Sequence, residues 1–451
     1  MFMTYRTGEG AIEKKGDAGM NNKAVRSWVM YDWANSAYAT TMIAAVLPIY
    51  YKDVAGVALG SKAEVYWGYS QSLAMFLVAV LAPLLGAIAD YTGRKVWFLR
   101  LFSMIGILAS FCFAFVGKGD YILASVLLII GTIGYTGGNT FYDALLPDVA
   151  PKEERDRVSS RGYAYGYIGG GILLALNLAM IQQPGWFGLT NSTAATQWSF
   201  ITVGLWWFGF SLPIFRHMKD VPLESGKRWT EYATVGWRRL IVTFKQIKQY
   251  PELLKYMIAF WFFSDGISTI ISMATIYGRG IGIDTGDLIK ALLITQFVGF
   301  PFAILFGKLA ERLGSKKSLY LSLGVYMLIV MLGYYMTSAV HFYLLAFMVG
   351  TVQGGSQAIA RSIFSRLVPA GRNAEFFGFL SVSSKFSAMV GPFVFALAAQ
   401  LTGSTRIAIL SLLLFFIIGI ALLYRVNLEK GEQEAVMSDR KETNKSQELS
   451  M

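Results

Sequence analysis

Cysteine and histidine are nearly missing from this chain of 451 residues, with one Cys, at 112, and two His, at 217 and 341. A single thiol excludes a disulfide framework. Two distant histidines without a thiol cluster give no metal-ligand spacing, so neither a metal nor another cofactor is expected. Charge is also scarce, at 15% of residues against 55% hydrophobic. A soluble chain carries about 25% charged residues. Strands alternating with period 2 are absent, which argues against a membrane barrel. No G-x-x-x-x-G-K-[ST] loop and no G-x-S-x-G turn occur, so an ATP-driven pump and a serine-nucleophile enzyme have no sequence support. The stretch from Gly56 to Lys62, GVALGSK, has the wrong spacing for a phosphate loop. A membrane enzyme or a receptor is the weakest function class.

Long apolar runs are abundant. A bilayer-spanning helix takes about 20 apolar residues. Twelve such runs lie near 28–51, 65–89, 96–116, 121–146, 158–182, 197–215, 253–277, 287–310, 317–337, 340–367, 375–400 and 404–425. They predict an all-α integral membrane protein of twelve transmembrane helices. The net charge of +12 sits in alternate loops: Arg94 and Lys95; Lys152, Arg155 and Arg157; Arg216 to Arg239; Lys316 and Lys317; Arg372. The intervening loops are nearly bare, with no basic residue in 183–196. That asymmetry points to a bilayer and not to nucleic acid, and it places both termini and the 216–252 loop in the cytoplasm.

The predicted organisation is an N-terminal segment (1–27), a first bundle (28–215), a linker (216–252), a second bundle (253–425) and a tail (426–451). The first segment lacks the apolar core of a signal peptide, so the first helix is expected to serve as the insertion signal. In the linker, Trp237, Leu240, Ile241, Phe244 and Ile247 fall at helical spacing among basic residues. Two readings stay open there: a helix on the inner leaflet, or a solvated connector. The polar tail after Asn427 is expected to be mobile.

The two bundles echo each other. GAIADYTGRK (Gly86 to Lys95) returns as GKLAERLGSKK (Gly307 to Lys317), each after the second helix of its half. WVMYD (Trp28 to Asp32) returns as WFFSD (Trp261 to Asp265), and GTIGYTGG (from Gly131) as GTVQGG (from Gly350). Three echoes in one order predict a parallel six-plus-six repeat, an architecture that puts a transport site between the halves.

The signature Gly86, Asp90, Gly93, Arg94 and Lys95, with its copy at Gly307, Glu311, Gly314 and Lys316, resembles the loop motif of the major facilitator superfamily. The stretches YDWANSAYATT, FSDGISTI and Phe141 to Gly171 are similar to the branch that contains the autophagy-related vacuolar amino-acid effluxer and its bacterial relatives. The likeness covers nearly the whole chain. It implies the major facilitator fold of two pseudo-symmetric six-helix bundles. It also implies a gate at the motif residues, with Asp90 latching the cytoplasmic ends of the halves. The compact chain and short exterior loops fit a bacterial inner-membrane protein, where the sequon Asn191-Ser192-Thr193 carries no meaning.

Charges inside a bilayer cost about 2.5–3.5 kcal/mol at the centre and usually face a cavity or a partner. The resemblance implies that helices 1, 4, 7 and 10 line the cavity, and each carries a polar stripe. Asp32, Asn35 and Ser36 share a face of the first helix; Tyr135, Asn139 and Asp143 of the fourth; Asp265, Ser268, Thr269 and Ser272 of the seventh; Gln353, Gln357 and Arg361 of the tenth. Ser381, Ser384 and Lys385 cluster on the eleventh. Candidate substrate contacts are Asn35, Tyr38, Asn139, Tyr142, Tyr167, Ser268, Thr269, Gln296, Gln353, Gln357, Arg361 and Lys385. Arg361 offers a forked donor suited to a carboxylate, and the alternative is an internal ion pair. Proton-coupling candidates are Asp265, Asp32 and Asp143, and Asp32 could instead pair with a base such as Arg161 in an inner gate. Tyr163, Tyr167 and Asn177 are further candidates to line the cavity.

Together these features predict a monomeric secondary transporter that moves a small polar or zwitterionic solute by alternating access, amino-acid efflux included, with protons as a candidate coupling ion. A multidrug or lysolipid exporter of the same fold is the alternative.

Overall fold

The computed structural model describes residues 22–221, 247–280, 282–283, 285–369 and 372–448. The amphipathic stretch expected at 237–247 falls almost wholly outside them, as does most of the N-terminal segment. Every regular element among the described residues is helical. The first six long helices are α1 (Asn22–Ala37), α2 (Ala63–Thr92), α3 (Lys95–Cys112), α4 (Tyr121–Ala144), α5 (Arg155–Gln182) and α6 (Ser192–His217). The next six are α7 (Pro251–Gly280), α8 (Thr285–Leu313), α9 (Ser315–Tyr334), α10 (Ala339–Leu367), α11 (Asn373–Thr402) and α12, which is broken into Thr405–Leu410 and Leu412–Tyr424. α1 runs on through a wider π-helical stretch, Tyr38–Ala45, to Val46–Tyr50.

Among the described residues nine helices are long and apolar enough to cross a membrane. The other three long helices are α1, α10 and α11. α1 and α10 carry the buried polar groups Asp32, Asn35 and Arg361, and α11 carries Asn373 and Glu375. Their lower hydropathy reflects what they face inside the bundle, since a polar side chain in a bilayer needs a protein partner.

The halves repeat each other contact by contact. α1 packs on α5 and α6, as α7 packs on α11 and α12. α4 packs on α2 and α3, as α10 packs on α8 and α9. Between the halves, α5 lies on α8 and α2 lies on α11, pairs that exchange under the same operation. A single repeat thus accounts for both bundles and for the seam that joins them.

Local sequence sets the turns of this repeat. Gly93 and Gly314 end α2 and α8 with φ of +67° and +87°. Only glycine adopts such backbone without a Cβ clash, so the motif needs both residues for the return into α3 and α9. Asn191 caps α6 by accepting from Ala194 N at 2.9 Å, and Ser338 and Ser404 cap α10 and α12. Asp220, past the end of α6, accepts from Val96 N at 2.7 Å and Trp97 N at 2.9 Å, capping α3 from a distance.

One end of the bundle gathers the turns that hold Arg94, Lys95, Lys152, Arg157, Lys316 and Arg372, and is called the basic end below. The tail after Asn427 is not free, contrary to expectation. It forms α13 (Leu428–Glu448), which packs on α7 and α10 at the basic end. The Glu252 carboxylate accepts from Asn427 N at 2.8 Å, Tyr250 and Ser438 hydroxyls meet at 2.6 Å, and a Cβ on Gly431 would stand 3.0 Å from Glu252. The composition of the tail is polar, but Gly431 and the buried Ala435 give it a smooth docking face.

Replacing Gly314 with Ala is expected to lower the apparent melting temperature of the purified chain, at a cost of about 1–3 kcal/mol for the forced positive φ. Gly324 on α9 has open space around the position of a Cβ. Gly324→Ala should leave melting unchanged or raise it, by up to about 1 kcal/mol of helix propensity. Equal shifts in the two variants would contradict the backbone argument.

Candidate functional site

A cavity of about 360 Å3 lies between the halves. Small-molecule sites typically span about 300–1,000 Å3. Its floor, toward the basic end, is polar: Asp32 and Ser36 of α1, Tyr135, Asn139, Tyr142 and Asp143 of α4, Tyr163 and Tyr167 of α5, Gln296 of α8, and Gln353, Gln357 and Arg361 of α10. Its upper wall is apolar and comes from the second half: Ile270, Met273 and Tyr277 of α7, Leu288 of α8, Ile329 and Val330 of α9, Phe342 of α10, Phe395 of α11 and Ile409 of α12.

Arg361 is the centre of the floor. It enters from the second half and is held by the first. Its Nη1 donates to Asp143 Oδ1 at 2.8 Å, its Nε to Ser159 Oγ at 2.9 Å and its Nη2 to Ser159 O at 3.0 Å. Asp32 Oδ2 lies 3.7 Å from Nη2 and accepts from the Tyr142 hydroxyl at 3.0 Å. The rings of Tyr163, Trp28 and Tyr142 stand 4.4, 4.8 and 5.4 Å from the guanidinium carbon. Trp28 stacks on Tyr142 and donates to Tyr142 O, which fixes both rings. Each such ring adds about 0.5–2 kcal/mol of attraction, more where water is excluded. A guanidinium in a bilayer needs this much provision, and the provision comes from the opposite half.

More bonds join the halves at the basic end. Arg155 donates to Ser365 O at 2.7 Å, and Ser159 to Ala358 O at 2.9 Å. Asp156 accepts from Ser315 Oγ at 2.6 Å and from Arg366. Asp90, at the end of α2, accepts from Glu375 N at 2.8 Å and so caps the first turn of α11. In the repeated copy, Glu311 lies 3.8 Å from Arg157 at the first turn of α5. Gly86 and Gly307 make these approaches possible, because a Cβ on Gly86 would strike the backbone at Ala374 and Glu375, and one on Gly307 would come within 2.9 Å of Ser160. Lys95 lies 3.9 Å from Asp90 and 3.0 Å from Asp148, while Lys316 donates to Tyr424 O and Val426 O. The basic end is closed.

The stripes of α4 and α10 face the cavity as their spacing predicts, and so do Tyr163, Tyr167 and Gln296. Other candidates lie behind the wall. Asn35 donates to Asn139 Oδ1 at 2.5 Å from a buried position, and Tyr38 is buried against Tyr135 and Trp207. Asn177 accepts from Thr202 between α5 and α6. The α7 stripe turns toward α11: Asp265 Oδ1 accepts from Gly391 N at 3.0 Å and from Thr269 at 3.4 Å, so Asp265, Ser268 and Thr269 are absent from the cavity wall. A bare Gly391 N–H is a better partner for a buried carboxylate than an apolar shaft. Asp32 is paired with Arg361, not with Arg161, which is exposed. The side chains of Ser272, Ser381, Ser384 and Lys385 lie outside the described ones. Sequence reasoning missed Asp156 and Arg366. Their signal was Arg366 on the helix of Arg361, five positions nearer the basic end.

Loss of Arg361 leaves Asp32 and Asp143 facing each other without a cation, and removing one partner of a buried pair costs about 3–5 kcal/mol. Arg361→Ala is expected to open the basic end. A cysteine at the buried Ser365, in a Cys112→Ala background, should react with a maleimide at least tenfold faster in the Arg361→Ala chain. Unchanged reactivity would remove Arg361 from the closure.

The chain matches, over residues 61–436, the family model described as vacuole effluxer Atg22 like. It is 39% identical to the uncharacterized MFS-type transporter YxiO of Bacillus subtilis (strain 168), over 89% of this chain and 94% of that one. It is 25% identical to autophagy-related protein 22 of Kluyveromyces lactis, over 81% and 80%. Among solved structures, the human organic anion transporter MFSD10 superposes with a TM-score of 0.70 at 14% identity, over 89% of this chain and 99% of that one, which speaks to the fold alone. The repeat, the closed seam and these matches converge: the chain is an integral membrane transporter of the major facilitator superfamily and belongs to its Atg22-like family.

Proposed function

We propose that the chain is a secondary active carrier that moves a small polar or zwitterionic solute, amino acids first among them, by alternating access. The observation that carries this reading is the solute-sized cavity between the halves, closed on one side by bonds that run from one half to the other. Rocking the halves about such a seam would break those bonds and open the floor. The likeness to vacuole effluxers supports the efflux direction. Asp32 and Asp143, on the cavity floor, are the first candidates to carry a coupling proton, with Asp265 behind them. The basic end would face the cytoplasm of a bacterial cell, with both termini on that side, and one chain would suffice because the path runs between its own halves. A second reading, an exporter of lysolipids or apolar drugs, draws on the apolar upper wall at Ile270, Leu288 and Phe342.

Counterflow in proteoliposomes loaded with unlabelled amino acids tests the first reading. Labelled leucine or tyrosine should accumulate with the native chain, and Arg361→Ala should lower the rate at least tenfold by loosening the closed state. No accumulation by folded protein would sink the amino-acid reading for both solutes. Labelled lysolipid would be the next substrate.

A further inference from the structure

The floor of the cavity has more acid than base. Among the described residues that line it, Asp32 and Asp143 are the acids and Arg361 is the base. Arg361 is also occupied: three of its N–H groups are bonded to Asp143 and Ser159, and three aromatic rings crowd its plane. A solute carboxylate arriving there would have to displace protein oxygens that already satisfy it. The carboxylates differ. The contacts of Asp32 run to Oδ2, and Oδ1 has no hydrogen-bond partner among the described residues, though the residue is only 8% exposed. Oδ1 points past the bare face of Gly166, 3.5 Å from where a Cβ there would stand, beside Ser36 on the cavity wall. Asp143 likewise uses Oδ1 for Arg361 and leaves Oδ2 unpartnered among the described residues. An unneutralised carboxylate at the bottom of an apolar shaft is costly, and either a proton or a solute cation relieves it, the cation alone adding binding energy to the solute.

We infer that this floor is an ammonium site: the solute's cationic nitrogen sits between Asp32 and Asp143, and its apolar part stands in the shaft above. The inference rests on the carrier reading and specifies which end of the solute that carrier grips. The partly buried Tyr163 ring, which already attends the Arg361 cation, lines the same floor and adds an aromatic neighbour to a second cation there. Recognition also gains a consequence for transport. The ammonium and Arg361 compete for the same two carboxylates. Loading therefore weakens the bond that holds the basic end shut, which shifts the population toward the open form. A solute acid without the nitrogen would leave that bond intact.

The test uses the purified full chain and three probes of one apolar size: isopentylamine, 4-methylpentanoate and leucine. Isopentylamine and leucine should raise the apparent melting temperature and 4-methylpentanoate should not. Isopentylamine should also inhibit leucine counterflow. Asp32→Asn, which keeps a partner for the Tyr142 hydroxyl, should weaken isopentylamine binding at least tenfold, and Asp143→Asn should weaken it as well. Binding of 4-methylpentanoate without isopentylamine, with leucine counterflow intact, overturns the ammonium site and leaves the carrier. Isopentylamine binding unchanged in both variants overturns it too. Asp32-dependent amine binding without leucine counterflow supports the site and sinks the amino-acid cargo. No response to any probe overturns both. The amine-against-acid comparison on the native chain stands even where a variant fails to fold.

Discussion

A guanidinium cannot be left bare in a low-dielectric interior, and this constraint organises the molecule around Arg361. The side chain belongs to α10, yet nearly everything that satisfies it belongs to α1, α4 and α5. The desolvation of one charge thereby becomes a force between two halves of a chain. The cavity above Arg361 exists because the halves meet tightly below it. Apolar packing alone would do little to keep the floor closed, since lipid and apolar side chains attract helices about equally.

The secondary latches reinforce the same closure by other means. Asp156 gathers a serine and an arginine from the second half, while Asp90 lends its carboxylate to the backbone at the start of α11. The Asp90 contact is an N-cap supplied across an interface, so the first turn of one half is completed by the other. Function follows from this division. The floor serves the closure and the cavity together, because Asp32 and Asp143 are both the partners of Arg361 and part of the cavity wall.

Much of this was legible in the sequence. The apolar runs matched the helices to within a few residues, except that α1 and α6 start at Asn22 and Ser192, earlier than their apolar cores. The glycine motif located both turns, and the helical spacing of Gln353, Gln357 and Arg361 put them on one face. Spacing defines a face but not the neighbour it meets. Asp265 and Thr269 share a stripe as expected, yet that stripe faces Gly391 and not the cavity. The Arg361–Asp143 pair joins residues 218 apart, and its existence depends on the depth of each in its helix, which periodicity does not encode. The tail departs from its composition for a related reason. Its composition is that of a solvated segment, but a helix needs only a few small residues on one side to dock.

The seam between α2 and α11 has a bearing on how the molecule could move. A Cβ on Gly378 would strike the backbone of Ala82 and Pro83, as one on Gly86 would strike Ala374 and Glu375. Main chain meets main chain there, with no side chain between. Such a contact has no rotamers to freeze or release, so sliding or tilting it changes little conformational entropy. The resistance to opening is then concentrated in a few ionic bonds instead of being spread over an interlocked surface. A seam built this way is a smooth hinge held by a small set of bolts, so a change of charge at any one of them alters how readily the halves part.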